Sequence, residues 1–597
     1  MKYDSKKLKE MSNAVRAGAL RALRAANGGH VGIVLGAADI VTTIYANHLR
    51  RGIDRFVLSA GHGSALLYSV LQLAGYNIPN LESFRKIGGL PGHPEYGIDG
   101  VETTSGPLGQ GVANAVGMAM SEKIKGSDSR VYCLCSDGDL MEGLFSEAIA
   151  FAGIYKLNNL IVLWDDNGVS IDGNALNDID VVMRMKAAGW NVITVFGDNV
   201  VAIGRALKAA TCSDVPTFIQ CKTKIGRGSS LEGSNKSHGF GLKQDELDVL
   251  IEKYSTATGV GLWNEFAAVS NGNKKINLGT MCTVAPVAPM PIAPGPISTR
   301  ELSGIYLQEL YVNGLKLIGG SADLGGSTNV RGLNTRDITP EDFSGNYINY
   351  GVREHAMAAI VNGMNLSGVR AFASTFLAFS DYMRPAIRLA ALSHVPSIFV
   401  LTHDSVAVGE DGPTHQPVEQ LPSLRLIPNL NVFRPCNDVE VIATWQMAIC
   451  DTTRPSCIIL SRQKFIQVPS PAGVHFECGA YVIRDARSRR VDVTIIATGS
   501  EVSLAVQVAE KIGKNVQVVS MLSVSHFRAQ SQEFKKRILR GFVVAIEAAA
   551  TAPWFEFADA VVGIDRFGMS GNGDDVYFKM GFDADAIVRD ILGKIKK

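Results

Sequence analysis

The sequence predicts an α/β protein built from three modules, each with a mainly parallel sheet. Three observations carry that reading. Short apolar, β-prone runs alternate with stretches of helical periodicity along most of the chain, the pattern of strand–helix–strand units. The runs stop at polar, Gly-rich turns, which in a parallel sheet lie in the crevice at the carboxyl ends of the strands where ligands bind. A Pro/Ala-rich stretch, VAPVAPMPIAPGP from residue 284, reads as an extended, stiff linker and marks the clearest boundary. The length of 597 residues allows about three or four domains.

Composition narrows the class. The chain is 46% hydrophobic with 61 Gly, ordinary for an α/β protein with large cores. Its net charge is +1 and it has no long basic run, so neither nucleic acid nor an anionic membrane is expected as the main partner. The nine Cys are scattered without a C-x-x-C pair, which argues against a zinc site or a disulfide framework and for a reducing compartment. Residues 1–10 are lysine-rich and lack an apolar signal-peptide core, and no apolar run reaches membrane-spanning length. A cytoplasmic protein is expected.

In chain order, residues 11–49 read as helical, interrupted by the glycine turn Asn27-Gly-Gly-His-Val-Gly32, which presents His30. A strand from Arg55 runs into the Gly-flanked His62, and Pro91-Gly-His-Pro94 presents His93. Each alone reads as a loop histidine. Thr103-Thr-Ser-Gly-Pro-Leu-Gly-Gln-Gly111 precedes an Ala/Gly/Met helix, so its backbone N–H groups can face an anion. Next comes the stretch around which the chain is organised. Residues 130–135 are a buried strand leading into Cys135-Ser-Asp-Gly-Asp-Leu-Met-Glu-Gly143. Residues 145–157 are helical. Residues 160–164 are a second buried strand leading into Trp164-Asp-Asp-Asn-Gly-Val-Ser-Ile-Asp-Gly173. Asp137 and Asn167 thus fall just past neighbouring strands, roughly 30 residues apart as one such unit requires. Their side-chain oxygens and the backbone at Val169 are hard ligands suited to Mg²⁺ completed by phosphate and water.

Strands follow near residues 191–196 and 216–223, and Lys236-Ser-His-Gly239 adds His238. Residues 240–280 read as helical and polar. The second module has a strand over 315–319, a helix entered through Asn346-Tyr-Ile-Asn-Tyr-Gly-Val-Arg-Glu-His355, and strands over 370–373, 397–401 and 457–460. The polar loop Gly409-Glu-Asp-Gly-Pro-Thr-His-Gln-Pro417 lies between the last two. The third module, from about residue 479, has strands over 493–497, 516–519, 543–546 and 560–562. Its Thr498-Gly-Ser-Glu-Val502 reads equally as an anion site at a helix start or as a simple cap.

Taken together, Gly-Pro-Leu-Gly-Gln-Gly, Asp-Gly-Asp-Leu-Met-Glu-Gly, Asp-Asp-Asn-Gly, Tyr-Gly-Val-Arg-Glu, Gly-Glu-Asp-Gly-Pro-Thr-His-Gln-Pro and Thr-Gly-Ser-Glu-Val, in this order and over nearly the whole chain, resemble the transketolase family. The chain is on the short side for it. The resemblance implies two thiamine diphosphate-binding-type parallel-sheet domains plus a C-terminal α/β domain. The diphosphate- and Mg²⁺-binding domain covers residues 1–283, the linker 284–297, the pyrimidine-binding domain 298–470 and the C-terminal transketolase-type domain 471–597.

The implied reaction is reversible transfer of a two-carbon ketol unit from a ketose phosphate of the xylulose 5-phosphate type to ribose 5-phosphate or erythrose 4-phosphate, in the non-oxidative pentose phosphate pathway. Asp137, Asn167 and the Val169 carbonyl would hold Mg²⁺, with Ca²⁺ or Mn²⁺ as substitutes. Gly138, His62, Gly106, Pro107, Leu108 and His238 would line the thiamine diphosphate. Glu354 would hydrogen-bond its aminopyrimidine ring, and Phe376 and Phe379 would pack against that ring. His30 and His238 are the candidates for proton transfer at the donor carbonyl and the cleaved hydroxyl, with His415 in the same set. His93 and Asp411 would read sugar hydroxyls. Arg300, Ser327, His403 and Arg462 would hold the distal phosphate. Active sites at the subunit interface of a homodimer are implied, with Glu142 and Glu147 near that interface and Glu142 coupled to Glu354.

Two departures from the family wording matter. Ser136 stands where Gly is usual, and only smallness is expected to be required there. Val31 stands where Pro is usual, which predicts a looser His30 loop. The alternatives are a 1-deoxyxylulose-5-phosphate synthase-like enzyme, disfavoured by the Asp-Gly-Asp-Leu-Met-Glu-Gly and His-Gln-Pro wording, and a catalytically silent binding protein.

Overall fold

A computed structural model describes residues 2–176, 180–270, 295–513 and 515–595. The predicted linker 284–297 therefore lies outside the described residues except for 295–297. The chain divides into two compact units: residues 1–279 with 339–344 and 359–369, and residues 280–338 with 345–358 and 370–597.

The first unit is organised by β1 (Arg55–Leu58), β2 (Val131–Ser136), β3 (Leu160–Asp166), the two-residue β4 (Val169–Ser170) and β5 (Gly173–Asn174), β6 (Asn191–Phe196) and β7 (Thr217–Lys222). The main sheet has the order β1-β2-β3-β7-β6, and every pair in it is parallel. β4 and β5 form a small antiparallel hairpin. Strands β1 and β2 are buried on both faces, as is β3 up to its last residue, which is why they read as unbroken apolar runs rather than alternating ones. β2 ends at Ser136, which pairs with Asp165, and β3 at Asp166, which pairs with Lys222, so Asp137 and Asn167 fall just past the two strands as expected. Polar residues are thereby held in the sheet at its carboxyl edge.

The helical reading of residues 11–49 resolves into helices Ser5–Ala26 and Val31–Asn47. The first begins where Asp4 accepts the Lys7 N–H at 2.9 Å and ends where Asn27 turns left-handed at φ 46°. The second begins immediately after His30. Of the helical, polar stretch predicted for 240–280, the described part holds the helices Gln244–Tyr254 and Ala257–Ser270, and 271–280 lie outside the described residues.

The second unit holds two sheets. β8 (Gly319–Ser321), β9 (Tyr347–Asn349), β10 (Phe372–Phe376), β11 (Ile398–Thr402), β12 (Asn431–Phe433) and β13 (Ser456–Leu460) form a parallel sheet in the order β12-β13-β11-β10-β8-β9. β14 (Tyr481–Arg484), β15 (Val493–Ala497), β16 (Val516–Ser520), β17 (Phe542–Ile546) and β18 (Ala560–Val562) form the other, in the order β14-β16-β15-β17-β18. Only β14 runs antiparallel.

Two predicted strands are displaced. The one placed at 315–319 is Gly319–Ser321, and the one placed at 370–373 is Phe372–Phe376. Glycine makes the first possible. A Cβ on Gly319 would stand 2.4 Å from the Phe372 ring, and one on Gly320 2.3 Å from the Tyr350 ring. The later start of β10 makes Phe376 its last residue. The three-residue β12 and the antiparallel edge strand β14 were not anticipated. Among the described residues no helix is long and apolar enough to cross a membrane.

Candidate active site

The carboxyl ends of β2 and β3 bring Asp137, Asp165, Asp166 and Asn167 together. Gly168 N–H donates to Asp137 Oδ2 at 3.2 Å. Asn167 is oriented from both sides: its Nδ2 donates to Asp165 Oδ2 at 3.1 Å and its Oδ1 accepts the Val169 N–H at 3.1 Å. Thr223 Oγ1 donates to the other oxygen of Asp165 at 2.5 Å. Burial, then the charges of Asp165 and Asp166, pushes the Asp137 carboxyl up to about 7. Burial carries Asp165 to about 6. Carboxylates crowded at a sheet edge in this way are stabilised by a cation. Among the described residues no three His, Cys, Asp or Glu side chains form a ready metal cage. One carboxylate, one amide oxygen and one backbone carbonyl leave positions for phosphate oxygens and water, a donor set that fits Mg²⁺. A cavity of about 330 Å³ adjoins, lined by Asp137, Trp164, Asp166, Gly168 and Gln220 among others.

Asp139 ties this edge to the Gly-rich loop. Its Oδ1 accepts Gly109 N–H at 2.7 Å and Ser59 Oγ–H at 2.7 Å. Its Oδ2 accepts Ser136 N–H at 2.9 Å and Ser136 Oγ–H at 3.0 Å. Ser136 sits at φ −118°, an extended backbone any residue adopts, so the position does not call for glycine. Its hydroxyl adds a bond to Asp139 that glycine would lack. The loop itself needs its glycines: Gly106 has φ 142°, and a Cβ on Gly61 would stand 2.7 Å from the Gly106 nitrogen. Leu108 lies over Gly138, whose Cβ would be 2.9 Å from Leu108 Cδ1. Pro107 sits between these two contacts. The chain here packs too closely for any residue but glycine at positions 61 and 138.

Four loops then bring His30, His62, His93 and His238 into one cluster. His30 has ring centroids of the other three at 5.4, 5.9 and 5.8 Å, and His62 stacks on His238 at 5.1 Å. His93 also borders the Gly106 turn, since a Cβ there would lie 3.5 Å from its ring. Burial, then His238, Arg85 and His93, lowers His30 to about 4. Burial also lowers His62, His93 and His238. All four are therefore neutral imidazoles near pH 7, and His30 Nδ1 is buried without a hydrogen-bond partner. The His30 loop is tied rather than loose. Val31 N–H donates to the Gly239 carbonyl at 3.1 Å, joining the loop of His30 to that of His238. Proline at that position would have no N–H to give, so the looser loop expected from Val31 is corrected.

In the second unit Glu354 opens the helix Glu354–Leu366, is 9% exposed and accepts Thr375 Oγ1–H at 3.5 Å. Burial raises its pKa, favouring a carboxyl that holds a proton. Phe376 and Phe379 stack at 5.8 Å with 19° between planes. His403 stacks on Phe376 at 3.7 Å, and His415 stands edge-on to Phe379 at 5.1 Å. Burial, then Arg300, Arg462 and His415, lowers His403 to about 3. Arg300 Nη1 donates to the Ser327 carbonyl at 2.6 Å, while its Nε is buried without a partner. It is thus the Ser327 carbonyl, rather than its hydroxyl, that contacts Arg300. Arg462 Nη1 donates to the Val408 carbonyl at 3.2 Å. Two guanidinium groups beside a neutral histidine make a site for an anion. Asp411 is exposed on the 409–417 loop.

Comparison with known proteins agrees with these parts. Residues 7–262 match the model of the transketolase thiamine diphosphate binding domain, residues 295–467 that of the transketolase pyrimidine binding domain, and residues 479–583 that of the transketolase-like C-terminal domain. The chain is 39% identical to the transketolase of Sinorhizobium medicae, over 99% of this chain and 94% of that protein. This chain belongs to the transketolase family. Among solved structures, a transketolase from Campylobacter jejuni superposes with a TM-score of 0.91 at 36% identity, covering 99% of this chain and all of that one. A Pichia stipitis transketolase in complex with sedoheptulose 7-phosphate gives a TM-score of 0.91 at 34% identity, covering 99% of this chain and 98% of that one.

Sequence reasoning missed three residues of this transketolase-type site: Asp139, Asp165 and Arg85. The Ser136–Asp139 spacing is a capping-box signal that marks Asp139. Nothing local marks Arg85, whose charge reaches His30 and His93 only through the fold.

Proposed function

We propose that this chain is a transketolase that reversibly transfers a two-carbon ketol unit from a ketose phosphate to an aldose phosphate, with thiamine diphosphate and a divalent cation, Mg²⁺ in the first instance. The observation that carries the proposal is the cluster of four histidine rings beside the glycine-rich Gly106 turn in a chain of this family. Thiamine diphosphate, when bound, supplies the electron sink for the two-carbon fragment. The residues supply everything else. Asp137, Asn167 and the Val169 carbonyl hold the cation. Gly106, Pro107, Leu108, Gly138 and His62 receive the diphosphate end of the cofactor. Glu354, biased towards its protonated form, hydrogen-bonds the pyrimidine, and Phe376 and Phe379 present their faces to it.

Proton movement falls to His30 and His238. A neutral imidazole at this site can accept a proton from a sugar hydroxyl and return it near pH 7. His93, Asp411 and His415 orient hydroxyls. Arg300 and Arg462, with His403 and Ser327, take the distal phosphate. The Pichia stipitis enzyme complexed with sedoheptulose 7-phosphate supports a phosphorylated sugar as ligand. The functional form we infer is a homodimer, which sedimentation would report as twice the chain mass.

The test is product analysis. Xylulose 5-phosphate with ribose 5-phosphate should yield sedoheptulose 7-phosphate and glyceraldehyde 3-phosphate only when thiamine diphosphate and Mg²⁺ are present. Release of CO₂ from pyruvate in place of that transfer would identify the synthase-like alternative.

A further inference from the structure

The third module has no part in the chemistry above, and its Thr498-Gly-Ser-Glu-Val502 motif remained open between an anion site and a helix cap. In the structure the motif closes around a buried arginine of the neighbouring sheet. Arg434 is 1% exposed. Its Nη1 donates to Thr498 Oγ1 at 2.8 Å and to Glu501 Oε2. Gly499, at φ 51°, lies flat on the arginine stem, where a Cβ would stand 2.9 Å from Arg434 Cγ. Glu501 also accepts Ala548 N–H at 3.1 Å, Ser500 Oγ–H at 2.7 Å and the Tyr577 hydroxyl. The motif is therefore filled by a protein cation, and no anion is called for.

The far side of Arg434 reaches the sugar-phosphate residues. Its Nε and Nη2 are both 2.9 Å from Asp404 Oδ2. Asp404 follows His403, which is held at φ 61°, a left-handed conformation costly for a non-glycine residue. A second tie runs through Gln463, next to Arg462: its Nε2 donates to Ser500 Oγ at 2.9 Å. A third grips the 409–417 loop, which carries Asp411 and His415. Gln416 Nε2 donates to the Met569 carbonyl at 3.0 Å. A Cβ on Gly412 would meet Ser570 Oγ at 2.3 Å, and one on Gly573 would meet the Ala407 carbonyl oxygen at 2.6 Å. Each tie ends one to four residues from a group assigned to sugar or phosphate, whereas none of the three bonds to Glu354, and Phe376 and Phe379 are met only at second hand, by the rings of His403 and His415.

We propose that the third module is the positioning scaffold of the sugar-phosphate subsite, with Arg434 and Gly573 as positioning residues that act through His403, Arg462 and the 409–417 loop. This rests on the ketol-transfer reading. Displacing groups that must meet a substrate phosphate weakens its binding directly, while the cofactor is reached only through the ring contacts of His403 with Phe376 and His415 with Phe379, so its binding changes less.

The experiment compares Gly573→Ala, Glu501→Gln and the control Gly593→Ala. A Cβ on Gly593 meets nothing within 4 Å. Alanine is favoured over glycine in a helix, so any loss at Gly573 comes from the contact with Ala407. Glu501→Gln keeps the side-chain shape and removes the charge facing Arg434. The two readouts are KM for xylulose 5-phosphate and the calorimetric Kd of thiamine diphosphate with Mg²⁺. The expected result is a rise in KM on the order of tenfold for both test variants, with a distinctly smaller change in the cofactor Kd and no change in the control. A KM that stays put in both variants, or a cofactor Kd that rises in step with KM, would overturn the proposal. If Gly573→Ala does not fold, the isosteric Glu501→Gln decides alone. A wild-type chain without ketol transfer would fail the functional reading instead, and calorimetric binding of xylulose 5-phosphate to the same variants would then decide the scaffold role.

Discussion

Asp139 touches neither the predicted cation nor a sugar, yet four donors converge on it from Ser59 just past β1, from Ser136 of β2 and from the Gly-rich loop. Asp139→Ala would leave the Gly109 and Ser136 N–H groups buried and unsatisfied. A loss of about 3 kcal/mol is expected, since each such group costs about 1–3 kcal/mol. Urea unfolding checks it, and the cofactor Kd should weaken in the same variant. His30 gives the second prediction at this scale. Its folded pKa, about 4, lies below the ordinary histidine value of about 6.5. Between those values the unfolded chain binds a proton that the folded chain does not. Stability must therefore rise with pH from about 4 to 6.5. His30→Gln should flatten that slope in unfolding measured across the window. Residue identities were the most legible part of the sequence, because the motifs keep their wording. The neutral state of the histidines was not legible, because it arises from burial and mutual proximity among four separate loops.

At the scale of elements, strand ends and glycine contacts decide the site. Sequence pattern located β2 and β3 and put Asp137 and Asn167 just past their ends, because each apolar run stops where the polar carboxyl edge begins. It displaced β8, because glycines 319 and 320 carry no β-propensity and are in the strand only so that Phe372 and Tyr350 can press on them. It missed β12, which is three residues long and is held by its pairing to β13. The start of the helix Val31–Asn47 shows the opposite case, a departure from family wording that tightens the structure. Val31→Pro would remove the N–H bonded to Gly239 while leaving a residue well suited to the first helical position. A loss of about 1 kcal/mol is expected from that bond. A lower kcat, with a cofactor Kd raised by a smaller factor, should accompany it, because the bond links the loop of His30 to that of His238, which also lines the cofactor. Steady-state kinetics and calorimetry on the one variant read both.

At the scale of the molecule, buried charge is concentrated where the third module meets the second. Glu547 takes a two-pronged contact from Arg425 at 2.8 Å on each oxygen and the Trp554 indole N–H at 2.8 Å. Burial opposes its ionisation, yet Arg425 and Arg434 outweigh burial and hold the carboxyl down to about 2. A depressed acid stabilises the fold above its unfolded value of about 4.3 and loses that contribution as pH falls towards 2. Arg425→Met should therefore cost about 3 kcal/mol at pH 7 and visibly less at pH 3, as read by urea unfolding at the two values. None of this network was legible in the sequence. Its members stand at 404, 425, 434, 498, 501 and 547, and only the packing of two sheets makes them neighbours.

The central claim is that the carboxyl ends of β2 and β3 bind a cation that in turn binds the cofactor diphosphate. Calorimetric titration of the purified chain with thiamine diphosphate, with and without Mg²⁺, and again with Asp137→Ala, tests it most directly. Tight binding is expected only with Mg²⁺, and none in the variant. Equal binding without the metal, or binding untouched by Asp137→Ala, would contradict it.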